Sequence, residues 1–285
     1  MKNKHETPRA QQIAEKNTIL RTQVGSGLHG VIVEGHDDRD EMGICIEPAS
    51  CVIGLEKFEQ YQYRTQPEGV RSGPGDLDLV IYSLRKWARL AAQGNPTVLL
   101  MLFAPVHEWV VPAMAGGKAM GMELQAQKDL FLSRDCGRRF LGYLKAQKER
   151  MLGLRSQRTN RPELIDLYGF DTKFAYHAVR LGVQGVELLT TGNITLPMPE
   201  PYRTDLTRMR KGCYTKERAL ALIDDLYAEL DRLTNTVDLP DSADMKKLNA
   251  WLIDIYTRWW RNSANLTIDL TKEGEGSWQK RSLAH

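Results

Sequence analysis

A chain of 285 residues, 42% hydrophobic and 26% charged, has the size and balance of one large globular domain or two modest ones, which excludes a disordered or fibrous chain. It holds nothing near the roughly 20 consecutive apolar residues of a membrane span: Val98–Val106 is its longest apolar run, and polar Met1–Gln12 lacks the apolar stretch of a secretory signal. The net charge of +3 hides an asymmetry, because Lys128 to Arg161 carries ten basic residues against three acidic ones, or +7, and leaves −4 for the remainder.

Arg9–Lys16 reads as an opening helix, and Ile19–Val24 as a strand running into Gly25-Ser26-Gly27. Asp40–Glu47 places Met42, Ile44 and Ile46 on one side, as a strand does, and Glu59–Thr65 alternates aromatic and polar residues. After the Pro/Gly-rich stretch Pro67–Gly75, Asp76–Ile81 begins as a strand and turns helical by Ser83, since Leu84, Trp87, Ala88 and Ala91 recur at helical spacing. Gly94-Asn95-Pro96 stops that helix and Thr97 starts another. Beyond about residue 110, apolar recurrence near 3.6 predicts helices over Leu124–Ser133, Gly137–Gly153, Thr172–Thr190, Lys216–Thr234 and Ala243–Asn262. Gly192–Pro197 interrupts them as a short extended piece. The expected organisation is a mixed half over 1–110, a helical half over 111–270 and a loose polar tail over 271–285. Cys45, Cys51, Cys136 and Cys213 form no CxxC pair, which fits reduced thiols in a cytoplasmic protein.

The informative stretch is Gly25–Asp40. Small residues where a strand meets a helix let backbone N–H groups approach a phosphate, and Ser26 can add a hydroxyl. Ten residues beyond Gly30, Asp38-Arg39-Asp40 enters a strand, where residues two apart face the same way. Two carboxylates aimed at one point repel unless a cation sits between them, and a magnesium ion, or manganese in its place, suits carboxylates plus phosphate oxygens. With a third acid, two metals can clamp an in-line displacement. A lone GS is usually a turn and a lone DxD a solvated pair; order and spacing together are more specific.

That order, GS then DxD then an apolar strand, resembles the polymerase-β nucleotidyltransferase superfamily. Asp76–Phe103 (DLDLVIYSLRKWARLAAQGNPTVLLMLF), Phe140–Met151 (FLGYLKAQKERM) and Tyr168–Pro197 (YGFDTKFAYHAVRLGVQGVELLTTGNITLP) narrow the likeness to its RNA-repair-pathway family, over roughly residues 20 to 215. The resemblance implies an α+β fold: a polymerase-β-type core of a small mixed sheet with flanking helices, followed by a mostly helical domain that completes the cleft. It implies transfer of a nucleotide monophosphate from a nucleoside triphosphate to an acceptor. Gly25 and Ser26 fall on the family's GS motif, and Asp38 and Asp40 on its paired metal ligands. Asp78 is preferred as the third acid, with Asp76 as the alternative on the same strand face. Gly27-Leu28-His29 departs from the family's usual turn, and Glu41-Met42 from its usual arginine-glycine.

Lys173, His177 and Arg180 lie at i, i+4 and i+7 of one predicted helix, within an arc of about 60°. They are placed to neutralise a triphosphate tail; the bland reading is an ion-pair stripe partnered by Asp171 and Glu187. The Lys128–Arg161 segment suits a polyanion, so the expected acceptor is an RNA or DNA end. The rival expectation is an inactive nucleotidyltransferase-like module that binds nucleic acid or a protein partner.

Overall fold

The computed structural model describes residues 4–31, 39–67, 70, 72–73, 75–110, 117–155 and 161–262. Asp38 and the tail expected at 271–285 therefore lie outside the described residues.

Helix α1 (Pro8–Asn17) opens with proline in its first turn, and the Thr7 hydroxyl caps it by accepting from the Ala10 N–H. It passes directly into β1 (Thr18–Gln23), followed by the single turn α2 (Ser26–His29). Strand β2 (Arg39–Cys45), the short helix α3 (Ala49–Val52), β3 (Gln60–Arg64) and β4 (Leu77–Ser83) complete a sheet in the order β1-β2-β4-β3. The β1–β2 and β3–β4 pairs are antiparallel, while β2 and β4 run parallel.

The alternation of β2 and β4 assigns their two faces. Cys45, Leu79 and Ile81 pack with Ala10, Ile13 and Ala14 of α1 in a small core on one side. Met42 and Ile44 face the other way, into the main core. Helix α4 (Leu84–Ala92), whose N-cap Ser83 accepts from the Lys86 N–H, buries Trp87, Ala88 and Ala91 there. The next helix, α5 (Pro96–Leu99), starts one residue before the expected Thr97, because the Asn95 side chain accepts from the N–H groups of Thr97 and Val98.

The second half is helical as expected: α6 (Gly117–Ala126), α7 (Arg134–Met151), α8 (Pro162–Tyr168), α9 (Thr172–Thr191), α10 (Tyr202–Arg210), α11 (Lys216–Thr236) and α12 (Met245–Asn262). The expected Leu124–Ser133 helix is instead the end of α6 and a separate 3-10 turn at Lys128–Leu130. Tertiary anchoring sets that break, since the Lys128 ammonium donates to the Gly192 carbonyl at 2.8 Å. Asp171 caps α9 by accepting from the N–H groups of Lys173 and Phe174, and α7, α9 and α11 pack together. Gly182 lets α11 come close, since a Cβ there would sit 2.8 Å from the Cβ of Leu226.

One main core runs through both halves, from Ile19 and Ile44 of the sheet through Trp87, Phe131, Phe140 and Tyr176 to Ile255 and Trp259 of α12. Helix α12 returns to the sheet half, where the Trp260 indole N–H donates to the Glu47 carbonyl at 3.0 Å. Among the described residues, no helix is long and apolar enough to cross a membrane.

Candidate active site

Strand register brings two of the acids together. Asp40 on β2 and Asp78 on β4 are direct partners across the parallel pair, so their Cα atoms stand one strand spacing apart, about 4.8 Å. Both side chains follow the parity that carries Met42, Ile44, Val80 and Tyr82 toward the main core. They line a cavity of about 400 Å³ whose walls also include Gly25, His29, Arg64, Thr97 and Arg180.

Gly25 joins β1 to α2 with φ 74°, and a Cβ there would sit 2.6 Å from Asp40 Oδ2. Any side chain would displace that carboxylate, and the backbone conformation is one that L-residues rarely adopt. Ser26 is the first residue of α2 and is half-buried; it is not among the cavity-lining residues.

Asp78 is held by its neighbours. Its Oδ1 accepts from Arg64 Nε at 2.5 Å, its Oδ2 from the Ser72 hydroxyl at 2.6 Å, and the Gln66 amide donates to both oxygens at 3.2 and 3.3 Å. Arg64 is its register partner on β3. Asp76, the alternative third acid, closes the preceding turn by accepting from the Gly73 N–H at 2.9 Å and the Thr65 hydroxyl at 2.8 Å. Those two bonds, the backbone one first, lower its carboxyl below the usual range, and it does not line the cavity. Among the described residues, no three His, Cys, Asp or Glu side chains gather as a metal cluster. The described donor set is Asp40 and Asp78, two carboxylates on one strand face above a bare glycine turn, which suits an oxygen-seeking magnesium or manganese ion. Asp78 would give up part of its Arg64 contact to bind one.

Of the three cations expected on α9, Arg180 reaches the cavity, while Lys173 and His177 are not among its lining residues. Arg180 Nη1 lies 2.9 Å from His29 Nε2 and 3.0 Å from Gln184 Oε1, and Gln184 Nε2 lies 3.2 Å from His29 Nδ1. His29 is buried, and burial, then Arg180 and His177, pushes its pKa well below the usual histidine value. His177 shifts the same way through burial and then Arg180, Lys173, Arg161 and Arg210. Arg180, Lys173, Arg161 and Arg210 therefore lie within electrostatic reach of His177. Arg210 is stacked over the Tyr176 ring at 5.4 Å and donates to the Val31 carbonyl at 3.0 Å. Asp171, one of the acids expected to partner an ion-pair stripe, pairs with Arg161, and the other, Glu187, accepts from Thr195.

Arg64, Gln184 and Arg210 escaped sequence reasoning. Gln184 is one further helical turn along the stripe of His177 and Arg180, so helical spacing was the signal that could have found it. Arg64 gave no such signal, because its pairing depends on β3–β4 register.

The basic segment changes character in three dimensions. Arg138 pairs with Asp135 and Asp241, Lys148 with Asp224, Arg155 with Glu149, and Arg161 with Asp171. Lys128, Arg134 and Arg139 donate to the carbonyls of Gly192, Val237 and Gln93. Arg158 lies outside the described residues. Lys145 and Arg150 remain on α7, about 140° apart around it.

The mixed sheet, its GS turn and the helical second half define a nucleotidyltransferase-like protein. The chain belongs to the RNA repair pathway DNA polymerase beta family, which matches it over residues 2–254. Among solved structures, it is similar to a nucleotidyltransferase-like protein from Exiguobacterium sibiricum 255-15, at 12% identity over 80% of this chain and 72% of that one. The TM-score of 0.26 is too low for that likeness to bear on fold or chemistry. No curated protein matches the chain.

Proposed function

We propose that the chain is a metal-dependent nucleotidyltransferase that moves a nucleotide monophosphate from a nucleoside triphosphate to the hydroxyl of a nucleic-acid end. The observation that carries this reading is the pairing of Asp40 with Asp78 at one register position, in a cavity whose lining also includes Arg180. Carboxylates alone would repel a triphosphate; carboxylates and an arginine lining one cavity offer it both a cation site and an anion partner.

Asp40 and Asp78, joined by Asp38, hold magnesium or manganese, which supplies charge neutralisation at the reacting phosphate. Gly25 keeps the turn free of side chain, and Ser26 offers its hydroxyl to the phosphates. Arg180 counters the charge of the tail, with Lys173 adding positive charge near it, while His177, kept neutral by burial, serves as an N–H donor. The acceptor oxygen bonds to the α-phosphorus as the bond to the bridging oxygen breaks. Pyrophosphate leaves, and the hydroxyl proton passes to Asp78. The family's RNA-repair association supports RNA as the acceptor. A second reading, a shell without turnover, draws on the saturation of Asp78 by Arg64, Ser72 and Gln66.

Incubation with each α-labelled nucleoside triphosphate and magnesium, with and without RNA and DNA oligonucleotides, tests the proposal. Label joined to an oligonucleotide supports it. Absence of transfer from all four triphosphates to any acceptor, in protein that still binds manganese and nucleotide, supports the inactive shell.

A further inference from the structure

The His29–Arg180–Gln184 triad cannot satisfy its own hydrogen bonds. Each of its three contacts needs one donor and one acceptor. Arg180 only donates, so His29 Nε2 must accept, and the proton of a neutral imidazole then sits on Nδ1. Gln184 must likewise turn its oxygen to Arg180, which sets its NH₂ group against the Nδ1–H. Flipping the amide only moves the donor–donor contact to Arg180. Burial pushes the His29 pKa down, so the imidazole does not escape by protonation, and protonation would add a further donor. Two more observations point the same way. Arg180 Nε is buried with no partner, and among the described residues the side chains bonded to Arg180 are His29 and Gln184, neither of them a carboxylate. Its guanidinium is thus a mostly buried cation, short of acceptors, on the wall of the cavity.

We propose that His29, Arg180 and Gln184 form a donor-surplus receptor for the terminal phosphate of the bound triphosphate, and for departing pyrophosphate, that works without metal. The identification of the anion as a phosphate tail rests on the nucleotidyl-transfer reading; the missing acceptor does not. Deprotonated phosphate oxygens accept and do not donate, so a phosphate presenting them to Arg180 lets Gln184 turn its oxygen to His29 Nδ1–H and relieves the conflict. His29 and Gln184 are positioning residues: they hold Arg180 short of an acceptor until the anion arrives.

Two substitutions should abolish the surplus inside the protein. Gln184→Glu provides a carboxylate that accepts from both Arg180 and His29. Arg180→Met removes the cation and lets His29 and Gln184 pair as one donor and one acceptor. The experiment is calorimetric binding of inorganic pyrophosphate in EDTA, alongside thermal melting, for wild type, Asp40→Asn and the two variants. Wild type and Asp40→Asn should bind, Asp40→Asn more tightly because a negative charge lining the same cavity is gone. Both triad variants should bind at least about tenfold more weakly, as expected for losing hydrogen bonds to a charged group, and should melt above wild type. If Gln184→Glu does not fold, Arg180→Met decides. Pyrophosphate binding by neither wild type nor Asp40→Asn, or by folded triad variants as tightly as by wild type, overturns the proposal. Binding as described in a protein that transfers no nucleotide supports the receptor and removes the catalytic reading instead.

Discussion

Asp40 and Asp78 are direct register partners on parallel strands β2 and β4, although 38 positions separate them in the chain. Parallel pairing requires a crossover between the strands, and here the connection includes β3, which pairs antiparallel on the far side of β4. That placement sets Arg64 beside Asp78 and leaves Asp40 beside Gly25. The two carboxylates therefore have different neighbours, and substitutions should separate them.

Asp40→Asn and Asp78→Asn should each abolish nucleotidyl transfer while keeping the fold. Asp40→Asn relieves repulsion between acids, so its stability should hold or rise. Asp78→Asn weakens the Arg64 pair, whose side chains are 40% and 29% exposed, and should cost no more than about 1 kcal/mol. Urea unfolding of both variants checks this. A loss of cooperative unfolding would make the acids structural.

Arg64→Gln should tighten divalent-metal binding severalfold. Arg64 donates to Asp78 Oδ1, so it competes with a metal for that carboxylate, and it adds a positive charge beside it. Magnesium titration of the transfer rate, or direct manganese titration, reads the shift. Weaker metal binding would mean that Arg64 serves chiefly to orient Asp78.

Gly25→Ala should lower transfer by about tenfold or more and cost roughly 1–2 kcal/mol of stability. The added Cβ meets Asp40 Oδ2 at 2.6 Å in a backbone conformation with φ 74°. Single-turnover rates and melting, measured together, separate the displaced carboxylate from general destabilisation.

Acidification should destabilise the fold through His29 and His177. Burial holds their folded pKa values well below the ordinary histidine value of 6.5, so only the unfolded chain takes up these protons as pH falls through that value. Stability from both is complete above about pH 7 and lost as pH drops below 6.5, by up to about 1.4 kcal/mol per pH unit for each proton. Glu47 works in the opposite sense, because burial raises its carboxyl and that contribution fades as pH rises. His177→Phe should therefore flatten the melting profile between pH 7 and 5.5; an unchanged slope would mean that His177 does not titrate on unfolding.

Oligonucleotide binding should be less salt-sensitive than ten basic residues in one segment suggest. Four of them are paired with carboxylates, and Lys145 and Arg150 diverge around α7. Two phosphate contacts by single-stranded RNA correspond to about a sevenfold loss of affinity between 50 and 200 mM salt, whereas ten would cost about four orders of magnitude. Titration at both salt concentrations decides between them.

Local pattern carried much of this into the sequence. Alternation in Asp40–Glu47 and Glu59–Thr65, and helical spacing in Thr172–Thr190, placed β2, β3 and α9 within a few residues. The GS turn was legible because Gly25 sits where a side chain would strike Asp40. Long-range pairing left no such trace. Asp241 and Asp224, which partner Arg138 and Lys148, lie 103 and 76 residues away in sequence, so the basic segment looked bare. The same holds for Arg64 with Asp78 and for His29 with Gln184, where strand register and helix packing create the contact.

The central claim, that Asp40 and Asp78 would jointly hold a divalent metal ion for triphosphate chemistry, is tested most directly by manganese binding. Electron paramagnetic resonance titration of wild type, Asp40→Asn and Asp78→Asn, each with and without nucleoside triphosphate, measures it. Wild type should bind manganese more tightly with triphosphate present, and each variant should lose at least about tenfold of that affinity, the effect of removing a charged ligand worth roughly 1.4 kcal/mol or more. Equal manganese affinity in all three proteins would contradict a shared metal site and leave the two acids as part of the fold alone.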